Sequence, residues 1–244
     1  MRTAGQVLAC VALWGLCSLA MASGLQVSPV SVTLKPGHSA DGITLRNVGT
    51  DVVHAQVRVY HWTQQDGAER LTPSTALVIS PPMLQLKPGD QQLIRVIRAA
   101  APASGAASVE DAYRISIDEL PVGVTGTRTL ELVIKQLLPV FVEPAAGGAT
   151  VPKLQWSLQS DGGQTVLQAA NTGNAHAQLA DISFVSSASH RTEVAGGLAG
   201  YVLPGATRRW TLKQPLDLAG GGTFEARING AAATQILPVA AHTP

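Results

Sequence analysis

The stretch Thr129–Pro144 reads TLELVIKQLLPVFVEP and is apolar on both sides. At the two-residue period of a strand, one face carries Leu130, Leu132, Ile134, Leu138, Val140 and Val142, and the other carries Val133, Leu137 and Phe141. A half-buried strand of an antiparallel sheet has one polar face. Pro139 lacks the amide that a central strand needs, so it marks an edge. Two readings meet these facts. The stretch is a central strand buried on both faces, or an edge strand whose second apolar face is covered from outside.

Strand signals continue upstream. DVVHAQVRVYHW alternates Val53, Ala55, Val57 and Val59 against Val52, His54, Gln56, Arg58 and Tyr60. YRISIDEL alternates Tyr113, Ile115 and Ile117 against Arg114, Ser116 and Asp118. QVSPVSVTL, GITLRNVG and QQLIRVIRA are shorter candidates, separated by the turn sequences KPGHSADG, NVGTD, QQDGAE and KPGD. No segment sustains a 3.6-residue apolar period. Short strands at this spacing point to a β-sandwich. After Glu143 comes PAAGGATVP, small and uncharged, which reads as a hinge. A second strand series follows: LQWSLQ, QTVLQAANTG, HAQLADISFV, YVLPGATRRWTL and TFEARINGA. The halves echo each other in LRNVGTDVVHAQVRV and LQAANTGNAHAQLADI, each a strand, an Asn/Gly turn and a strand. Asn47 and Asn171 in these turns read as structural.

The N-terminus carries Arg2, an apolar run from about Val7 to Leu19, and small residues at Ala20 and Ala22. This is the pattern of a secretory signal peptide with cleavage after Ala22, the run being short for a membrane span. The expected parts are a signal peptide at 1–22, a first domain at 23–145 and a second at 146–244. Both cysteines, Cys10 and Cys17, fall in the segment removed. The mature chain is then held by packing alone, without disulfides or a thiolate zinc site. Apolar residues are 45% and charged residues 14%, a globular composition. A net charge of +1 gives no general signal for nucleic acid. The six histidines are dispersed, and no metal, Ser-His-Asp or phosphate-loop motif appears. We therefore expect no catalysis, no cofactor and no small-molecule substrate.

Several of these pieces, in this order, resemble the periplasmic pilus chaperones of the PapD-like family: VSPVSVTL, LRNVG with VYHWTQQDG, ISPPMLQLKPGDQQLIRV, YRISIDELP and LVIKQLLPVFVEP. The wording of YRISIDELP and LLPVFV is most similar to the branch serving archaic chaperone–usher pili. The resemblance spans the mature chain and is strongest from Gln26 to Pro144. It implies an all-β protein of two Ig-like β-sandwich domains in an L or boomerang arrangement, working in the periplasm. Its partners would be pilus subunits and an outer-membrane usher. The chaperone lends its last first-domain strand to a subunit that lacks one, a form of strand addition at a sheet edge. Aligned on the family, the donated residues are Leu130, Leu132 and Ile134, with Leu138 following, while Val133, Leu137 and Phe141 face home. The same edge would support self-association when no client is bound.

The resemblance also implies two basic residues that hold the client's C-terminal carboxylate. Here Ser31 and Pro139 stand at those positions, so neither is carried over. Lys135, the one cation in an apolar strand, and Arg114 are the candidate anchors, with Arg95 and Arg98 as weaker ones. Glu119 would hold the domain angle, paired with Arg208, Arg209 or Arg227, because Glu143 stands at the family's arginine position. Pro81, Pro82 and Met83 would meet the usher and cover part of the donor edge. Sequence alone leaves the Ser80–Pro81 isomer open. Two alternatives remain beside the chaperone, a secreted two-domain Ig-like binding or adhesion module and a periplasmic enzyme accessory.

Overall fold

A computed structural model describes residues 24–101, 104–105, 109–121, 134–145, 150–212, 216 and 221–236. The expected signal peptide, the residues Leu130, Leu132 and Val133, and positions 146–149 of the hinge lie outside the described residues. All regular structure among the described residues is β-strand.

The first sandwich packs two sheets. One holds β1 (Leu25–Ser28), β3 (Ala40–Asn47), β8 (Gln91–Arg98) and β6 (Leu77–Ser80), in the order β1-β3-β8-β6. The other holds β2 (Val32–Leu34), β4 (Val53–Gln65), β5 (Ala68–Pro73), β7 (Met83–Leu86), β9 (Asp111–Leu120) and β10 (Lys135–Val142). Its order is β2-β10-β9-β4-β5, with β7 also on β4. Pro29 divides QVSPVSVTL so that β1 and β2 join different sheets. Pro81 and Pro82 divide β6 from β7 in the same way, and both Ser28–Pro29 and Ser80–Pro81 are cis. The alternating residues meet as expected: Ala55, Val57, Val59, Tyr113, Ile115 and Ile117 share one core with Ile43, Leu45, Ile94 and Val96.

The second sandwich pairs β11 (Leu154–Asp161), β12 (Gln164–Asn171) and β15 (Thr207–Thr211) in one sheet. The other is β13 (Ala177–Ser186), β14 (Arg191–Val202), β16 (Gly222–Ile228) and β17 (Ala231–Ile236), in the order β14-β13-β16-β17. Its core of Leu167, Leu179, Ile182, Phe184, Val202 and Phe224 is continuous with Trp62, Ala112 and Phe141 of the first domain.

The sequence echo has a physical basis. Asn47 is fully buried; its Nδ2 donates to the carbonyls of Asp51 and Leu86, and its Oδ1 accepts from Gly49 N. Asn171 is equally buried; its Nδ2 donates to Ala175 and Val202, and its Oδ1 accepts from Gly173 N and Lys153 N. Each amide closes a turn and ties it to a distant strand. Replacing Asn171 by Ala strands buried backbone groups, so we expect a loss of about 1–3 kcal/mol. It would be read as a lower urea midpoint with an unchanged slope. Asn47→Ala should act alike in the first domain, and an unchanged midpoint in both variants would refute the role.

Candidate functional site

The site is built on β10. Glu119 N donates to Ile134 O, which makes the even-numbered residues of β10 the ones bonded to β9. The amide and carbonyl groups of the odd residues therefore point to the opposite edge. There β2 runs parallel to β10 and pairs with Val140–Val142 only, with Glu143 N continuing to Leu34 O. The outward groups of Lys135, Leu137 and Pro139 have no strand partner among the described residues. Pro139 sits where an amide would point into that open edge, so its missing N–H costs no ladder bond.

The two faces of β10 differ from the expectation. Leu138, Val140 and Val142 are buried in the first domain's own core, so Leu138 is not a donated residue. Leu137, expected to face home, is 44% exposed on the outer face. Phe141 also leaves the home core and packs with the second domain. The reason is parity: Leu138 lies opposite Ile115, whose side chain already points inward. Gln136 interrupts the inner face between Leu138 and Ile134, and its Nε2 donates to Leu25 O. Ile134, just beyond it, is only half buried.

The outer face of the same sheet reads as rows across its strands. Pro139, Arg114, Tyr60 and Pro73 align; then Leu137, Ser116 and Arg58; then Lys135, Asp118, Gln56 and Met83. Arg58 donates to Asp118 at 2.7 Å, Ser116 Oγ donates to the same carboxylate, and Lys135 approaches it at 3.8 Å. Burial alone would raise Asp118, but these bonds and the charges of Arg58 and Lys135 hold its carboxyl below the usual range.

The second domain docks across the far end of this face. Arg114 is a seam residue: its guanidinium lies 3.7 Å from the Trp62 ring centre and 5.3 Å from that of Tyr201. Burial, with Arg208 nearby, pulls its pKa below the ordinary guanidinium value against the pull of Glu69. Glu69 lies between the two arginines, 3.8 Å from Arg114 and 3.6 Å from Arg208. The Gln64 amide clamps the second domain, donating to Tyr201 O and accepting from Leu203 N. Glu110, nearly buried, accepts from His176 N and meets His176 Nδ1 at 2.7 Å, while His176 stacks on Phe141. A cavity of about 170 Å³ lies beside them, lined by Ser31, Thr33, Phe141, His176, Gln178, Tyr201 and Asn229.

These positions correct further expectations. Glu119 does not hold the domains together. The second domain follows the end of β10, where Val142 lies opposite Asp111, and Glu119 is at the other end of β9. One of its carboxylate oxygens is buried with no hydrogen-bond partner among the described residues. Arg208 pairs with Glu69, Arg209 donates to Gln168, and Arg227 donates to Gly230 O. Glu69, Glu110, Gln64 and His176 do the joining. None carries a local sequence motif, and only the HAQ repeated after each Asn turn draws attention to His176. Lys135 stands four residues before Pro139, about 13 Å along the strand, and so lies away from the domain seam. Arg114 reaches the seam but is engaged there. Pro82 O accepts from Val57 N and β7 lies on β4, so Pro81, Pro82 and Met83 flank the edge opposite β10 and cannot cover the donor edge. Met83 is 59% exposed there.

Residues 24–147 match the family described as pili and flagellar-assembly chaperone, PapD N-terminal domain. Among solved structures, the chain is similar to one in a complex of CsuC with the tip adhesion subunit CsuE, from archaic chaperone–usher Csu pili of Acinetobacter baumannii. That match has 20% identity and a TM-score of 0.66, over 88% of this chain and 97% of the other. The Pseudomonas aeruginosa CupB2 chaperone matches at 17% identity and a TM-score of 0.59, over 87% and 100%. A chain from the Salmonella enterica SafA pilin–SafB chaperone complex matches at 16% identity and a TM-score of 0.61, over 88% and 96%. No match was found among curated protein sequences.

Two outcomes follow from the electrostatics. Asp118 has a folded pKa below its unfolded one, so its ion pair stabilises the fold above the unfolded pKa. That contribution is lost as pH falls through the folded pKa. Arg58→Met should move the Asp118 titration, followed by carboxyl NMR, upward; an unmoved curve removes Arg58 as the cause. Glu69→Gln leaves Arg114 and Arg208 without their shared anion. Solution scattering should then show a larger radius of gyration with the first-domain fold intact, and an unchanged radius would show that this cluster does not fix the domain angle.

Proposed function

The chain belongs to the family of pilus and flagellar-assembly chaperones, and on that premise we propose that it captures pilus subunits in the periplasm by lending them β10 and the residues before it. The observation that carries this reading is the edge of β10 from Lys135 to Pro139, which has no strand partner among the described residues, beside a β2 that pairs with only the last three residues of the strand. A subunit short of one strand gains backbone hydrogen bonds along this edge, and side chains of alternate residues fill its open core.

The division between the two cores runs along the strand rather than through it. From Leu138 onward the inner face fills the home core. Before Gln136 the same face holds Ile134, and Leu132 and Leu130 share its parity in the sequence. These three are the donated residues in this reading. Burying each Leu or Ile contributes roughly 1.5–3 kcal/mol before ordering costs.

A strand added at Lys135–Pro139 abuts the start of β2, beside Ser31 and the cavity at the domain seam. In this reading the client's chain end goes there, toward the hydroxyls of Ser31 and Thr33 and the imidazole of His176. Delivery to an outer-membrane usher is part of the proposal, with Pro81, Pro82 and Met83 as the exposed docking edge on the opposite side. Without a client, an open edge of this kind favours pairing with a second copy.

Co-expression with the pilin subunits of its own pilus should give a soluble one-to-one complex. Leu132→Asp with Ile134→Asp should abolish it while the chaperone's melting profile stays unchanged. An intact complex with the double variant would sink strand donation. Binding to a surface ligand without any pilin would instead favour an adhesion module.

A further inference from the structure

We propose that Lys135 and Leu137 read the client's side chains: the strand that pairs with the edge of β10 carries an acidic residue beside Lys135 and, two positions away, an apolar residue beside Leu137. The inference rests on the strand-donation reading and adds a chemical requirement on the partner.

Lys135 and Leu137 share the geometry that makes this contact obligatory. Both turn their backbone groups to the open edge and their side chains to the outer face, where they are exposed. Any strand added there, parallel or antiparallel, places side chains next to them on the same face, about 5 Å away. The residues between, at the alternate positions, point to the other face.

Charge then selects the neighbour of Lys135. Its row holds Asp118, Gln56 and Met83, and the next row holds Leu137, Ser116 and Arg58. Arg58, Asp118 and Lys135 are the charged groups of these rows, two cations to one anion. Asp118 is taken closely by Arg58, at 2.7 Å, and by Ser116, whereas Lys135 stands at 3.8 Å with its side chain 51% exposed. The farther acid on this face, Glu69, lies between Arg114 and Arg208 at the seam. A basic client residue beside Lys135 would be repelled, an apolar one would press against a charged ammonium, and an acidic one completes the ion pairing. Leu137 offers the neighbouring position an apolar side chain that is 44% exposed. An apolar partner there removes it from water. The order of the two client residues also reports strand direction: acid before apolar if the client runs parallel to β10, the reverse if antiparallel.

The test uses the pilin subunit co-expressed from the same pilus locus, offered to differently tagged wild-type and variant chaperones in one mixture, with the captured ratio read by mass spectrometry. Lys135→Glu and Lys135→Met should be outcompeted at low salt, the former roughly tenfold, given the modest size of single cross-strand pairs and the added repulsion. Lys135→Arg should compete as wild type. The Lys135→Glu deficit should shrink in about 0.5 M salt as screening sets in. An acid-to-Lys change in the pairing strand of the subunit should restore capture by Lys135→Glu. Equal competition by Lys135→Glu, a deficit insensitive to salt, or no rescue overturns the charge requirement while leaving strand donation standing. If wild type captures no subunit at all, strand donation falls and this inference falls with it.

Discussion

The constraint on which the rest depends is the pairing of β10. A strand exposes hydrogen-bonding groups on two edges, and both need partners. One edge of β10 is satisfied by β9 over its whole length, the other by β2 over Val140–Val142. The short β2 is itself a product of Pro29, which ends β1 and sends the chain across to the other sheet. A continuous first strand on β10 would have closed the edge. A break three residues before Val32 leaves the outward groups of Lys135, Leu137 and Pro139 facing away from the sheet. Pro139, with no amide, spares the exposed stretch one unpaired donor.

The same strand also sets the position of the second domain. Phe141 is turned outward because Leu138, Val140 and Val142 are turned in, and it enters the second domain's core with Trp62 and Ala112. The polar groups around that apolar contact, Gln64 on the Tyr201–Leu203 backbone, Glu110 on His176, and Glu69 between two arginines, give it direction. Apolar burial is non-directional, and the hydrogen bonds fix the orientation in which it occurs. The docked domain thus follows from the parity along these eight residues, and the open edge beside it from the short β2.

That parity explains what the sequence could reveal. Alternation identified the strands, and the Asn/Gly turns identified the repeated unit, because both are local. Tyr113, Ile115 and Ile117 or Val57 and Val59 had polar neighbours that told inside from outside. The stretch from Thr129 to Pro144 has no such contrast, so period alone separated two faces without naming them. The decisive sign was Gln136, a polar residue on the inner face, whose meaning depends on the Leu25 carbonyl 111 residues away. Glu119 is similar: it shares the inward parity of Ile117, but its distance from the seam follows from the antiparallel register of β9 and β10. The partners of Arg114 and His176 come from other elements and leave no trace in local spacing.

A strand apolar on both faces, then, does not require two cores stacked on either side of it. The inner face from Leu138 to Val142 belongs to one core, and the outer face contributes Phe141 to a second, that of the neighbouring domain. Ile134, upstream of Gln136, belongs to neither core and is only half buried, and among the described residues no home strand pairs with the outward edge of β10 before Val140. Surplus apolar length on an edge strand is costly to keep in water and prone to unwanted pairing. Cover from a client's sandwich, as strand donation supplies, removes that cost.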